Sequence, residues 1–537
     1  MSNLGLHTVY GLLNAMDDVV CERFFMPEAD LATGVRSVES GLALSAFNIV
    51  AFSIAYENDY LNVLILLSKA GLPLRSGDRT PSHPLVIAGG VACQLNPEPL
   101  APFIDCFLIG EAEAIVPALM QAYDPGAPRT AKLMALARCV PGAYVPAFYE
   151  VAYGPLERLE AVRPLADAVP GRIRRACGQS LGPAPASSVL VTPHTTFSDT
   201  FLLEVSRGCP HGCRFCSAGY IGRPPRFHSL AALRHGLDQA AALTRRIGLV
   251  GAAVSDLPGI EQLCAEALGK GLQLSLSSLR ADALTPALAF VLKAGGVKTA
   301  TLAPDAGSDR LRRVINKGIT EDDILTAVQH LVAAGIANVR LYFMVGLPFE
   351  TEQDVQAIVD LSKRIKHQFL SSSRPQGRIG TLSLSLSSFV PKPVTPFQWA
   401  AMDSPKSLKR KLALVRRGLA AVANVDVKTD NPRQAMVQAL LARGSRRVAL
   451  MLEQALAEGG TWSGVWKKPI VDVPALVHRL RDRQERFPWD IIDHGISRGY
   501  LWKEYLKAAR AQTTAACPAA GSCRRCGVPA CASRTTP

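Results

Sequence analysis

The run Glu204-Val-Ser-Arg-Gly-Cys209-Pro-His-Gly-Cys213-Arg-Phe-Cys216-Ser-Ala-Gly-Tyr220 places three cysteines at C-x3-C-x2-C spacing. Three closely spaced thiolates can hold three irons of a 4Fe–4S cluster, because each iron takes one soft anionic sulfur ligand. No fourth cysteine lies nearby, which leaves one iron open to a small molecule. Structural zinc and buried small hydrophobes are the other readings. Structural zinc sites carry a fourth ligand, usually from a second C-x2-C pair, and this run has none. The apolar stretch Phe201–Val205 just before the loop reads as a strand.

Downstream, the strand pattern recurs six times, each time followed by a helical pattern: Phe201–Val205, Ile247–Val254, Leu272–Ser277, Thr299–Ala303, Val339–Val345 and Leu382–Phe389. Repeated strand–helix units predict a parallel barrel-type wall, with active residues at the carboxyl ends of the strands. Those ends carry Ser255 and Asp256, then Ser278 and Arg280, then Asp305, then Gly346. Helix capping is the structural reading for Ser255, Asp256, Ser278, Asp305 and Ser308, and for any one of them it weighs as much as ligand contact.

Upstream, Phe47–Ile54, Pro84–Ala88 and Cys106–Ile109 read as strands and Tyr60–Ala70 as a helix, with glycines at strand ends. That alternation predicts an α/β, doubly wound parallel sheet with a ligand edge at its carboxyl ends. Residues 161–198 are rich in Pro, Gly, Ala and Ser and are expected to be a linker. The expected domains are therefore 1–160, 199–400 and a helical region 401–510, followed by a Cys-rich tail at 511–537.

With Phe215 before the third cysteine, the cluster loop resembles the radical S-adenosylmethionine (SAM) superfamily. The resemblance implies a partial (βα)6 TIM-type barrel, a 4Fe–4S cluster on Cys209, Cys213 and Cys216, and SAM on the open iron. It further implies reductive cleavage to a 5′-deoxyadenosyl radical, fed by a one-electron reductant such as flavodoxin or ferredoxin. Phe215 would pack near the adenine. Acids such as Asp256 and Asp305, with Ser255 and Ser278, would meet the ammonium and ribose of SAM. Arg280 could pair its carboxylate, and Gly346 would let backbone approach the adenine. LVIAGG, the NPEPL after it and IDCFLIGEAEAI resemble the cobalamin-binding-like domain found ahead of many such cores. The D-x-H-x-x-G motif that supplies cobalt with a histidine is absent, and His7 and His83 lie in other contexts. The opening MSNLGLHTVYGLLN resembles the stretch after the first strand in relatives, so that strand is expected to be missing and Met1 to be an internal methionine. TLAPDAGSDRLRRVINKGI, YFMVGLPFET and FVPKPVTPFQW resemble a bacterial family of unestablished reaction, in which position 305 is usually Glu. With cobalamin bound, methyl transfer is the expected reaction. Methylthiolation or another modification of RNA or protein is the alternative, and a non-catalytic metal-dependent RNA-binding or regulatory protein is the rival of another class.

The tail holds Cys517, Cys523, Cys526 and Cys531 at C-x5-C-x2-C-x4-C spacing, which suits zinc or a second Fe–S cluster. It lies well over a hundred residues beyond the last expected strand and is expected to be separable from the chemistry. Thirteen cysteines in 537 residues, clustered at two places, suggest metal in a reducing cytoplasm rather than a disulfide framework. The six scattered ones, Cys21, Cys93, Cys106, Cys139, Cys177 and Cys264, are expected to pack in the core. No secretory signal or membrane span is evident. The net charge of +14, dense at Arg172–Arg175, Lys406–Arg417 and Arg443–Arg447, permits RNA binding without requiring it.

Overall fold

A computed structural model describes residues 3–26, 34–178, 180–373, 380–518 and 523–529. The front sheet contains β1 (Ile49–Ser53), β2 (Leu85–Gly89), β3 (Cys106–Leu108) and β4 (Ala143–Tyr144) in that spatial order. β1, β2 and β3 are parallel, and short β4 is antiparallel at the edge. Alternation along β2 and β3 explains the layering. Val86, Ala88 and Phe107 pack in the same core as Tyr60 and Leu64 of the helix Tyr60–Lys69. Leu85, Ile87 and Cys106 pack instead with Ile115, Leu119, Leu133 and Leu136 of the helices Ala112–Ala122 and Arg129–Cys139. Period-2 strands buried on both faces need a helix layer on each side.

The expected linker is woven into the fold. β5 (Tyr149–Tyr153) and β6 (Leu159–Pro164) form a hairpin, and β7 (Ile173–Arg174) follows. Ala176 bridges to Gly110 of the front sheet, and Ser187 bridges to Leu203 of the barrel.

All six expected barrel strands form. β8 (Thr200–Glu204) leads into the cluster loop, whose ends are clamped by an antiparallel pair, β9 (Ser206–Arg207) and β10 (Arg226–Phe227). The wall continues with β11 (Arg246–Val250), β12 (Gln273–Leu276), β13 (Thr299–Asp305), β14 (Asn338–Val345) and β15 (Thr381–Ser388). A seventh strand, β16 (Val425–Thr429), lies parallel to β15, so the region from residue 401 is not wholly helical as the sequence predicts. Its run VDVKT is short and half-exposed, and it gains its place by pairing with β15. The strands group as β12-β11-β8 and β13-β14-β15-β16, joined by the parallel bridge Leu279–Leu302. Outward residues such as Val339, Leu341, Phe343, Leu382 and Leu384 are fully buried, leaving Tyr342, Met344, Ser385 and Ser387 to the other face. β17 (Ile492–Asp493) pairs with β7.

The tail docks on the cluster loop. Cys517 N–H donates to Pro210 O (2.7 Å) inside the cluster loop. Thr514 N–H donates to Asn316 Oδ1 (2.8 Å), and Asn316 Nδ2 donates to Gly212 O (3.1 Å). Distance along the chain misleads because the helix Arg498–Ala509 carries the tail back to the loop. Cys531 lies outside the described residues. Of the scattered cysteines, Cys93, Cys106 and Cys264 are buried, Cys21 is half-buried, and Cys139 and Cys177 are exposed against expectation. Parts of two basic groups are spent internally: Arg443 is buried and donates to Ala400 O, Arg446 pairs with Glu98, and Arg175 is buried beside Glu111, while Arg172, Arg174 and Arg447 stay exposed. Lys406, Lys409, Arg410, Arg416 and Arg417 remain exposed on the helix Pro405–Leu419. No described helix is long and apolar enough to cross a membrane.

Candidate functional site

The cluster loop is a tight coil that only glycine permits at its entry. Gly208 sits at φ +84°, and a Cβ there would meet Gly222 O at 2.2 Å. Arg214 anchors the loop from behind. Its buried guanidinium donates to Val314 O (2.8 Å), Arg313 O (3.0 Å) and Gln512 O (2.7 Å), and it pairs with Glu504 at 3.0 Å. The carbonyls of Arg313 and Val314 end the helix Asp309–Val314, where a cation is favoured. Tyr220 OH donates to Gly212 O (3.1 Å), fixing the backbone before Cys213.

So held, the loop turns Cys209, Cys213 and Cys216 into one cavity of about 580 Å³ at the carboxyl ends of the barrel strands. Phe215, Ser278, Arg280 and Asp305 line it too. Burial pushes the Cys209 thiol up to about 12, reinforced by Cys213. Burial takes Cys213 to about 11 while Lys317 opposes the rise, and it raises Cys216. Burial disfavours the thiolate form of all three, so metal binding there would be coupled to release of protons. The donor set is soft sulfur with two cations facing it, which fits a cluster carrying net negative charge.

Those cations are Arg280 and Lys317. Lys317 Nζ lies 2.5 Å from Asp305 Oδ2. Burial opposes its charge, but Asp305 beside it raises the ammonium above its ordinary range. Asp305 reaches this position from a bulge in the β13–β14 register, with its own φ at +62°. Arg280 pairs with Asp282 (2.8 Å) and donates to Lys317 O (3.3 Å).

The other three residues singled out from the sequence do not line the cavity. Asp256 holds His211 of the cluster loop, Nε2 to Oδ2 at 2.6 Å. Ser255 Oγ is buried with no hydrogen-bond partner. Gly346, at φ +81°, donates its N–H to Glu350 Oε1 (2.9 Å) in a turn. Of the five capping candidates, Ser308 caps its helix, accepting from Leu311 N–H. Sequence reasoning missed His211, Lys317, Tyr342, Met344, Ser385, Ser387, Lys428 and Asp430, all of which line the cavity. The alternation Leu382-Ser-Leu-Ser-Leu-Ser387 was the available signal for the serines.

Residues 5–146 match the family described as Radical SAM proteins, N-terminal, and residues 203–362 match the Radical SAM superfamily. The chain is a radical SAM enzyme. An uncharacterized protein of Methanocaldococcus jannaschii is 29% identical to it over 448 residues, covering 82% of this chain and 88% of that protein. An uncharacterized methyltransferase of Pyrococcus horikoshii is 27% identical over 30% of this chain and 37% of its own length. A tRNA-2-methylthio-N(6)-dimethylallyladenosine synthase of Syntrophus aciditrophicus is 24% identical over 39% of this chain and 48% of its own. The chain thus spans less than half the length of these last two relatives. Among solved structures, the radical SAM methyltransferase TsrM from Kitasatospora setae, with cobalamin and a 4Fe-4S cluster bound, has a TM-score of 0.48 at 13% identity, covering 76% of this chain and 88% of that one. The cobalamin-dependent radical SAM enzyme OxsB, with aqua-cobalamin and SAM bound, has a TM-score of 0.42 at 15% identity, covering 77% and 63%. The radical SAM match, residues 203–362, covers the cluster loop and the strands β11 to β14.

Proposed function

We propose that this radical SAM enzyme cleaves SAM reductively in the cavity above Cys209, Cys213 and Cys216 and passes the radical to a substrate held against β14–β16. The observation that carries the reading is the convergence of three thiols with Arg280 and Lys317 on one cavity. A 4Fe–4S cluster held there supplies one electron, from a reductant such as flavodoxin or ferredoxin, and an open iron for SAM. Arg280 and Lys317 offer the cations that a carboxylate of SAM needs. Asp305 keeps Lys317 charged and in place, and Asp256 steadies the loop through His211. Phe215 supplies an apolar face on which adenine can pack.

The carboxyl edge of the front sheet meets the mouth of the cavity, which is where a corrinoid belongs in this reading. Burial raises the phenol of Tyr56, after β1, helped by Glu57 and then by Asp430, which lines the cavity. Lys392 pairs with Glu57, and Gln438 donates to the same carboxylate. No front-domain imidazole fits cobalt there: His7 accepts from Val189 N–H, and His83 is tied into a turn with Thr80. A corrinoid without a protein histidine ligand is the form this edge allows, and methyl transfer to an unactivated carbon is the reaction class it brings. In the test, full-length protein is reconstituted anaerobically, reduced and given SAM, with and without hydroxocobalamin. 5′-Deoxyadenosine or S-adenosylhomocysteine is expected from the wild type and neither from a Cys209→Ala/Cys213→Ala/Cys216→Ala variant. Equal turnover by that variant would falsify the assignment, and the absence of a retained visible corrinoid band after desalting would remove methyl transfer alone.

A further inference from the structure

One row of polar side chains on the inner wall of the cavity has no task so far. Parallel register sets Tyr342 of β14 beside Ser385 of β15, and Ser385 beside Lys428 of β16. Residues paired in register share a face, and all three line the cavity. Neighbouring strands lie about 4.8 Å apart, so the row spans roughly 10 Å. No hydrogen bond or ion pair joins any of these three side chains to another described residue. The next row toward the carboxyl ends of the strands differs. There Ser387 Oγ donates to Phe343 O (3.4 Å). Asp430, just after β16, accepts from Ser388 N–H (2.8 Å) and Ser388 Oγ (3.0 Å), one on each oxygen.

Lys428 is the unexpected member of the free row. Inward positions of such a wall normally take packing side chains, and lysine is depleted in strands. Asp426 and Asp430 flank it on the same face of the strand, yet neither forms an ion pair with it among the described residues. Asp430 is committed to Ser388, and Asp426 does not line the cavity. Departures from local preference concentrate at functional sites. An ammonium can only donate, and the phenol and hydroxyl beside it can donate as well. A compact oxyanion set against the row can take hydrogen bonds from all three, the charge-assisted one being the strongest. The row is not a second hold on the SAM carboxylate assigned to Arg280 and Lys317. Lys317 is paired with Asp305 of β13, and β16 is three strands further along the wall.

We propose that Lys428, with Ser385 and Tyr342, binds an oxyanion of the substrate, which is therefore a small organic anion bearing a carboxylate or a phosphate. Giving that anion to a substrate rests on the reading above. The anion site itself does not require SAM cleavage.

For the test, full-length protein is reconstituted anaerobically and saturated with S-adenosylhomocysteine. It is then titrated calorimetrically with acetate and with inorganic phosphate, at an ionic strength held constant with sodium chloride. Saturable binding of at least one anion is expected. Lys428→Met is expected to weaken it about tenfold, the loss of one charge-assisted hydrogen bond, while Lys428→Arg retains most of it. Tyr342→Phe/Ser385→Ala keeps the charge and is expected to weaken binding by a smaller factor. Preference for acetate identifies a carboxylate substrate and preference for phosphate a phosphate ester, and either supports the site. Absence of saturable binding by the wild type overturns the proposal, as does equal affinity in Lys428→Met. A SAM Kd weakened to the same extent in Lys428→Met would give the row to SAM and overturn it too. Intact anion binding without SAM cleavage would count against the reading above alone.

Discussion

Lys317 shows how one side chain is set by its partner. Lys317 is buried, yet its ammonium stays charged because Asp305 lies against it. Removing one member of a buried pair leaves the other uncompensated, which costs more than removing both. Lys317→Met is therefore expected to weaken SAM binding roughly tenfold, about 1.4 kcal/mol, and to lower stability, while Lys317→Met/Asp305→Asn restores stability but not binding. Calorimetric SAM titration and denaturant melts separate the two effects, and an unchanged Kd would remove Lys317 from the site. His494 gives a second residue-scale test. Its Nε2–H donates to Gln94 O (2.9 Å), and burial, helped by Arg175, lowers its pKa from the usual 6.5 to about 4. Between those values the unfolded chain takes up a proton that the folded chain refuses, so stability falls as pH drops from 6.5 to 4. His494→Gln is expected to flatten that part of the stability-versus-pH curve. Identical slopes for the two proteins would contradict it.

At the scale of elements, the cluster loop is the least tolerant part of the chain. Gly208→Ala forces a methyl group into Gly222 O in a backbone region that other residues avoid, and is expected to abolish cluster loading. Gly212→Ala meets side-chain ends alone, the nearest being the Asn316 amide at 3.2 Å, and is expected to load normally. Iron and sulfide content of the two variants checks this, and full loading of Gly208→Ala would show that the coil yields. Strands and the cysteine loop were legible in the sequence because period and spacing are local. β16 was not, because VDVKT is short and polar on one side and becomes a strand only beside β15. Asp256 and Gly346 were legible as strand-end residues, but only tertiary packing decides that one holds His211 and the other turns the chain toward Glu350. His211 was hidden by the cysteines around it, and the return of the tail by the length of the intervening helices.

Across the whole molecule, the front domain is tied to the barrel by buried charge. Glu111, after β3, pairs with Arg175, Arg207 and Arg226, and the last two lie opposite each other on β9 and β10, which clamp the cluster loop. Glu98 takes Arg446 at 2.8 Å and Tyr144 OH at 2.5 Å, and Arg446 also donates to Tyr149 O (3.2 Å). Asn96 Nδ2 reaches Ala442 O and Gly444 O across the same junction. Such ties make the two domains fold as one cooperative unit, so the wild type is expected to melt in a single transition. Arg446→Ala strands Glu98 in a dry environment, at a cost of about 3 kcal/mol, and frees the front sheet from the barrel. The expected result is a second, earlier transition, with amide exchange rising first in residues 85–108 and then at the cluster loop through Glu111. Arg446→Met/Glu98→Gln removes both charges and is expected to recover most of the loss. A single unshifted transition in Arg446→Ala would mean that packing alone joins the domains and that the front sheet does not govern the loop.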